Sequence, residues 1–188
     1  MTAHTLSGGF ADPARQSAHA FRAVMEAMAR PGTLHDLTGA VAPGLSVAAA
    51  TVILTLTDGT TPLHLAGAAD TEALRRWVAF HTGAPLVGAE QAAFAVGRWA
   101  DLLPVDRFSV GVPAYPDRSA TLIVEVPTLS AMGPRLTGPG IATAATLALP
   151  DIAAFQANRA LFPLGFDTIL TCGARLAALT RSTNVEAV

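Results

Sequence analysis

A chain of 188 residues, 51% hydrophobic and 14% charged, suits one domain burying about two-thirds of its unfolded surface, without disulfides or a structural metal. A formal net charge of −2 and only 6% aromatic residues argue against a nucleic-acid binder, which needs a basic face and stacking rings. All 12 basic residues are arginine, and the absence of lysine removes two enzyme classes: no amine is present for a pyridoxal-phosphate Schiff base, and none for a Walker P-loop.

Composition holds steady from residue 1 to residue 188, so a single domain is expected. Cys172 is the sole cysteine, which rules out an intrachain disulfide and fits a reducing compartment. Residues 1–10 carry no basic segment followed by an apolar run, so no secretory leader is expected. The longest apolar stretch, residues 47–56, is far shorter than the roughly 20 residues of a membrane span. Together these features predict a soluble, cytoplasmic protein. The low charge fraction also leans toward a surface partly covered by other subunits.

Along the chain, Asp12-Pro13 opens a first helix as N-cap and first helical residue. Ala14, Ala18, Phe21, Met25 and Met28 recur at the spacing of a buried stripe, and Pro31-Gly32 stops it. Residues 33–37 read as a short strand. Residues 45–56 are apolar nearly all round; their length favours a buried helix over the strand that their threonines and valines suggest. Asp58-Gly59 marks a turn before a short strand at 62–65. Asp70 is expected to cap a helix whose Leu74, Trp77, Val78 and His81 share a face, with Gly83 ending it. A strand follows at 92–96, then mostly loop with one helical turn over 97–118, then a β-branched strand at 121–126. Residues 135–141 read as strand, turn and strand around Gly138-Pro139-Gly140, and residues 151–160 as a short helix. The clearest signal is a hairpin of 166–172 and 175–181 joined by Gly173-Ala174 in a type II′ turn. The class predicted is mixed α/β with substantial antiparallel pairing.

Four residues stand out for chemistry. His81, at a helix end, has the makings of an acid or base, although its place on the face of Leu74 and Trp77 favours a packed histidine tied to a backbone carbonyl. Arg135, ahead of Gly138-Pro139-Gly140, suggests an anion nest with a guanidinium fork, against the simpler reading of a hairpin turn. Asp167 and Arg181 invite pairing, yet the two-residue turn sets Phe166 opposite Arg181 and Asp167 opposite Thr180. The two side chains then project to opposite faces, and no direct salt bridge is expected. Cys172 reads as inert packing. The five histidines lack metal-ligand spacing, so no metal site and no cofactor are expected, and no catalytic residue is assigned.

Several stretches resemble one family: residues 20–32 (AFRAVMEAMARPG), 55–62 (TLTDGTTP), 80–87 (FHTGAPLV), 135–141 (RLTGPGI) and above all 162–186 (FPLGFDTILTCGARLAALTRSTNVE). In this order they are similar to the PhnH subunit of the bacterial carbon–phosphorus lyase system. The resemblance implies a fold like that of pyridoxal-phosphate-dependent transferases without the cofactor, and a homodimer in isolation. It also implies a place in a core complex with PhnG, PhnI and PhnJ, which turns alkylphosphonates and MgATP into ribose-1-phosphonate triphosphates with displacement of adenine. A non-autonomous subunit is the leading expectation. Two others stay open: a free-standing binding protein or enzyme for a phosphorylated small molecule, using His81, Arg135 and Arg181, and a dimer that merely caps the assembly with empty clefts.

Overall fold

The computed structural model describes residues 7–186. The expectation for residues 1–10 therefore falls mostly outside the described part. In chain order the elements are α1 (Pro13–Ala29), β1 (His35–Asp36), α2 (Val47–Leu56), β2 (Leu63–Leu65), α3 (Glu72–His81), β3 (Phe94–Arg98), α4 (Trp99–Leu102), β4 (Val110–Val112), β5 (Tyr115–Ser119), β6 (Thr121–Glu125), β7 (Arg135–Thr137), β8 (Ala145–Thr146), α5 (Ile152–Ala160), β9 (Asp167–Cys172), β10 (Arg175–Leu179) and β11 (Asn184–Glu186).

A six-stranded sheet in the order β1-β10-β9-β6-β3-β2 forms the middle layer. Strands β2, β3, β6 and β9 run parallel, and β10 and β1 extend the sheet by antiparallel pairing. The class is mixed α/β, but its centre is parallel, which short apolar runs did not disclose. Such strands are covered on both faces, so they show no polar alternation. Their apolar residues are instead divided between two cores. Val96, Ile123, Ile169 and Leu176 pack beneath α1, α2 and α3 with Ile53, Leu74 and Trp77. Ala95, Leu122, Val124 and Leu170 face the opposite layer, with Leu102, Phe108, Leu136, Phe155 and Phe166. That layer holds α5, a small sheet of β11-β7-β8, and the β4–β5 hairpin.

Helix α1 lies where its cap and proline place it, with Asp12 accepting from the Arg15 N–H. Its rotation differs from the expectation. Ala20, Val24 and Ala27 are buried, whereas Phe21 is 53% and Met25 50% exposed. The helix carries two apolar stripes, and the one with the smaller side chains lets it approach α2 and β10 closely. Periodicity alone does not choose between two such stripes.

Helix α2, apolar all round, is the buried helix that its length suggested, with Ser46 as N-cap. For α3 the cap is Thr71 and not Asp70: the Thr71 hydroxyl accepts from the Leu74 N–H, while Asp70 holds Arg75. Residues 97–118 contain the one expected helical turn, α4, and also a hairpin that was not expected, β4–β5. That hairpin is short, carries Pro116 and exposes most of its residues, so it lacks the alternation that marks a half-buried strand. Residues 135–137 do form a strand, but its partners are β11 and β8, and Ile141 belongs to neither. The expected second strand comes later because the Gly138–Gly140 turn tucks under the end of α1. A Cβ on Gly140, at φ +81, would meet the Ala29 carbonyl oxygen at 1.9 Å.

The C-terminal hairpin matches the sequence pattern closely. Gly173 takes φ +58 and Cys172 pairs with Arg175, a register that holds through Thr168 and Leu179. Entry into β9 is fixed by Asn158 of α5, whose buried amide donates to the Phe166 carbonyl and accepts from the Phe166 N–H, each at 2.9 Å. The side chain thus substitutes for a strand neighbour where the ladder has none.

Candidate functional site

Parallel strands β2, β3 and β6 end on the same side at Leu65, Arg98 and Glu125. In open α/β sheets the carboxyl ends of the strands form the usual ligand crevice. Here a cavity of about 300 Å³ opens, lined by Leu45, Ser46, Ala68, Gly97, Arg98, Asp101 and Glu125. A second, largely apolar cavity of about 450 Å³ is lined by Trp99, Val126, Pro127 and Pro150 and shares Arg98 and Glu125. The strand ends thus present a polar patch beside an apolar shelf.

Glu125 closes β6 and reaches the start of α2, where its Oε1 accepts from the Ser46 N–H at 2.7 Å. Burial raises its pKa above the ordinary glutamate value, against the opposing pull of the Ser46 N–H and of the Ser46 and Thr171 hydroxyls. Asp101 sits at the α4 turn and accepts from Arg98 Nε at 2.9 Å. That bond, with the charge of Arg98 and the Ala68 N–H, holds its carboxyl below the usual range despite some burial. The backbone is shaped around it: a Cβ on Gly67, at φ +52, would lie 2.3 Å from the Asp101 carboxyl carbon. Each positive feature of the crevice, the α2 N-terminus and the Arg98 guanidinium, already faces a carboxylate of the chain. Glu125, its pKa raised by burial, is the group of the crevice poised to carry a proton.

Glu125→Gln checks this assignment. A carboxyl whose folded pKa is raised favours the folded state while protonated, and that contribution is lost as pH rises through the folded pKa. The variant keeps an oxygen for Ser46 and cannot ionise. It is expected to be more stable than the parent at pH 7, with the difference closing below the ordinary glutamate value of 4.5, as read by urea unfolding across that range.

The structure scatters the residues that the sequence put forward. His81 ends α3 with its ring against Trp77 at 4.8 Å and Phe80 at 4.9 Å, beside a shallow cavity lined by Phe10, Ser17 and Thr55. Among the described residues its buried Nε2 has no hydrogen-bond partner, and aromatic packing accounts for the placement of the ring. Arg135 is bound to Glu186 at 2.7 Å across β7 and β11, with both side chains about half exposed. Cys172 donates weakly to the Pro127 carbonyl at 3.5 Å.

Asp167 and Arg181 do meet, contrary to the register argument. Arg181 Nη2 lies 2.5 Å from Asp167 Oδ2, and the Arg181 N–H donates to Oδ1 at 2.8 Å. Regular pairing ends at Leu179, so Arg181 has turned out of the ribbon and the two-face alternation no longer governs it. Its Nη1 also donates to the Pro116 carbonyl, tying the β4–β5 hairpin to the main sheet. Both side chains are 15% exposed, and the contact is a structural clamp. Among the described residues no three His, Cys, Asp or Glu side chains converge as a metal centre, and no helix is long and apolar enough to cross a membrane.

Fold and site together define an α/β domain with a carboxylate-lined crevice at its strand ends and no nucleophile–base pair among the residues put forward. Comparison with known proteins supplies the family. The profile described as "Bacterial phosphonate metabolism protein (PhnH)" matches residues 8–186, so the chain belongs to the PhnH family. It is also 39% identical, over 99% of its own length and 99% of the relative's, to the "Alpha-D-ribose 1-methylphosphonate 5-triphosphate synthase subunit PhnH" of Rhizobium meliloti (strain 1021).

Proposed function

We propose that this chain is a non-autonomous subunit of a ribose 1-methylphosphonate 5-triphosphate synthase, a transferase assembly of phosphonate breakdown in the bacterial cytoplasm. The observation that carries the reading is the near end-to-end similarity to a protein named as a subunit of that synthase. Two features of the molecule support it. The candidate residues His81, Arg135, Asp167 and Arg181 are held in separate structural contacts, not in one reactive set. The Phe21–Met25 face of α1 stands in solvent, the kind of apolar surface that partners cover. PhnG, PhnI and PhnJ are the proposed partners, with a homodimer in their absence. The proposed reaction joins a phosphonate to the ribose of MgATP with loss of adenine, and the proposed fold relatives are the pyridoxal-phosphate-dependent transferases, without their cofactor.

Co-expression with the other three subunits, followed by size-exclusion chromatography, tests the reading. The chain is expected to elute in a stoichiometric complex and to turn over neither phosphonate nor nucleotide alone. Elution apart from a complex that the others still form would refute it, as would multiple turnovers by the isolated chain.

A further inference from the structure

A second polar cavity, of about 280 Å³, lies against edge strand β2 and is lined by His64, Asp70, Arg75, Leu86, Val87 and Gly88. None of these residues is among the four that stand out for chemistry in the sequence. His64 Nδ1 is 2.9 Å from the Val87 carbonyl oxygen. A carbonyl only accepts, so Nδ1 carries the proton, and the neutral ring leaves a lone pair on Nε2. The edge of Phe108, with ring centroids 5.9 Å apart, steadies the imidazole from the side.

Across the cavity, Asp70 takes Arg75 end-on, Nε to Oδ1 at 2.5 Å and Nη2 to Oδ2 at 2.7 Å. That fork fixes the guanidinium yet uses two of its five N–H groups, leaving both on Nη1 and one on Nη2. Asp70 itself is held ionised, first by its bond to Arg75 and then by the charge of that guanidinium, against some burial. The cavity therefore combines an oriented cationic donor with a histidine whose Nδ1 is tied to the backbone and whose Nε2 is left to accept. Its volume of about 280 Å³ lies just below the range of about 300–1,000 Å³ for drug-sized ligands, which suits a small ion.

We infer that this cavity binds a small tetrahedral oxyanion bearing one proton, of the hydrogenphosphonate or hydrogenphosphate type, with Arg75 donating to its charged oxygens and His64 Nε2 accepting from its P–OH. The inference deepens the proposed function and rests on it only for the choice of a phosphonate as probe. A fully deprotonated anion has no donor for Nε2 and brings oxygen against its lone pair, so sulfate is disfavoured.

The test is calorimetry and imidazole NMR on the isolated full-length chain at about pH 7, where an ordinary imidazole with a pKa of about 6.5 is mostly neutral and much of the methylphosphonate keeps its P–OH. Methylphosphonate, inorganic phosphate and sulfate are the probes. Methylphosphonate and phosphate are expected to bind and to move the His64 resonances, identified by their loss in His64→Asn, while sulfate binds at least tenfold more weakly. His64→Asn keeps a donor for the Val87 carbonyl but lacks Nε2, and Arg75→Gln lacks the guanidinium. Each is expected to weaken methylphosphonate binding at least tenfold with an unchanged melting profile, whereas Arg76→Gln, on the same helix and paired with Glu72, changes it less than twofold. Stronger binding of methylphosphonate than of phosphate would assign the site to substrate, and equal binding to phosphate in general; both support it. Equal binding of sulfate, undisturbed His64 resonances, or full binding by His64→Asn would overturn it. Failure to join the synthase assembly would leave this result intact, so the two readings fall separately.

Discussion

Replacing Arg181 with methionine is expected to lower the unfolding free energy by about 3–5 kcal/mol, because it strands the Asp167 carboxylate in a site with little access to water. Methionine fills much of the same volume, so the loss is electrostatic more than steric. Asp167 would keep one bond from the residue-181 N–H and lose both guanidinium contacts. The Pro116 carbonyl would lose its donor, and the hairpin carrying it would be released from the sheet. Amide exchange over residues 110–119 should therefore quicken even where the rest of the domain stays folded. Asp167→Asn is expected to be milder, since its amide oxygen still accepts from the Arg181 N–H. The double variant should cost less than the two single changes summed, because neither charge is then left alone. Urea unfolding of the four proteins reads the free energies, and hydrogen exchange reads the release of the hairpin. A cost below about 1 kcal/mol for Arg181→Met would mean that the pair behaves as a solvated surface bridge.

The same pair shows where sequence reasoning held and where it stopped. Gly173-Ala174 dictates a type II′ hairpin from local backbone chemistry, and the register from Cys172↔Arg175 to Thr168↔Leu179 follows from it. What the turn could not convey is where the ladder ends, because that depends on the Pro116 carbonyl contributed by an element 65 residues away. The parallel centre of the sheet escaped for a similar reason: strands covered on both faces carry no polar alternation to mark an edge or a direction. Glu125 left a trace that can be read in hindsight. It is the one charged residue in the β-branched run of residues 121–126, and it stands where a parallel strand ends. His64 left almost none. Its meaning depends on a carbonyl 23 residues downstream and on an arginine of the next helix, neither placed by any local pattern.

Introducing glutamate at both Phe21 and Met25 is expected to leave the isolated chain as stable as the parent, within about 0.5 kcal/mol per site, and to abolish its incorporation into the synthase assembly. Both side chains are about half exposed, so little burial is lost, and glutamate is at least as good a helix former as either residue. In a docked state the balance reverses. Ala14, Ala18, Phe21 and Met25 form a seam with heptad-like spacing of four, three and four residues along α1, the pattern by which one helix seats against another. Arg15, His19 and Arg22 flank it, and among the described residues Arg22 makes no ion pair. A partner helix with an apolar stripe and an acidic rim is the matching surface. Burying a carboxylate against such a stripe costs several kcal/mol, more than a marginal contact survives, and a hot-spot aromatic is worth about 2 kcal/mol or more by itself. The decisive measurements are the melting temperature of the double variant, its mass in isolation and its elution with the other subunits. Normal melting and mass with lost co-elution would assign the seam to a partner subunit, whereas a halved mass in isolation would assign it to a second copy of this chain. Normal co-elution would show that the seam faces solvent in the assembly and that the contact lies elsewhere.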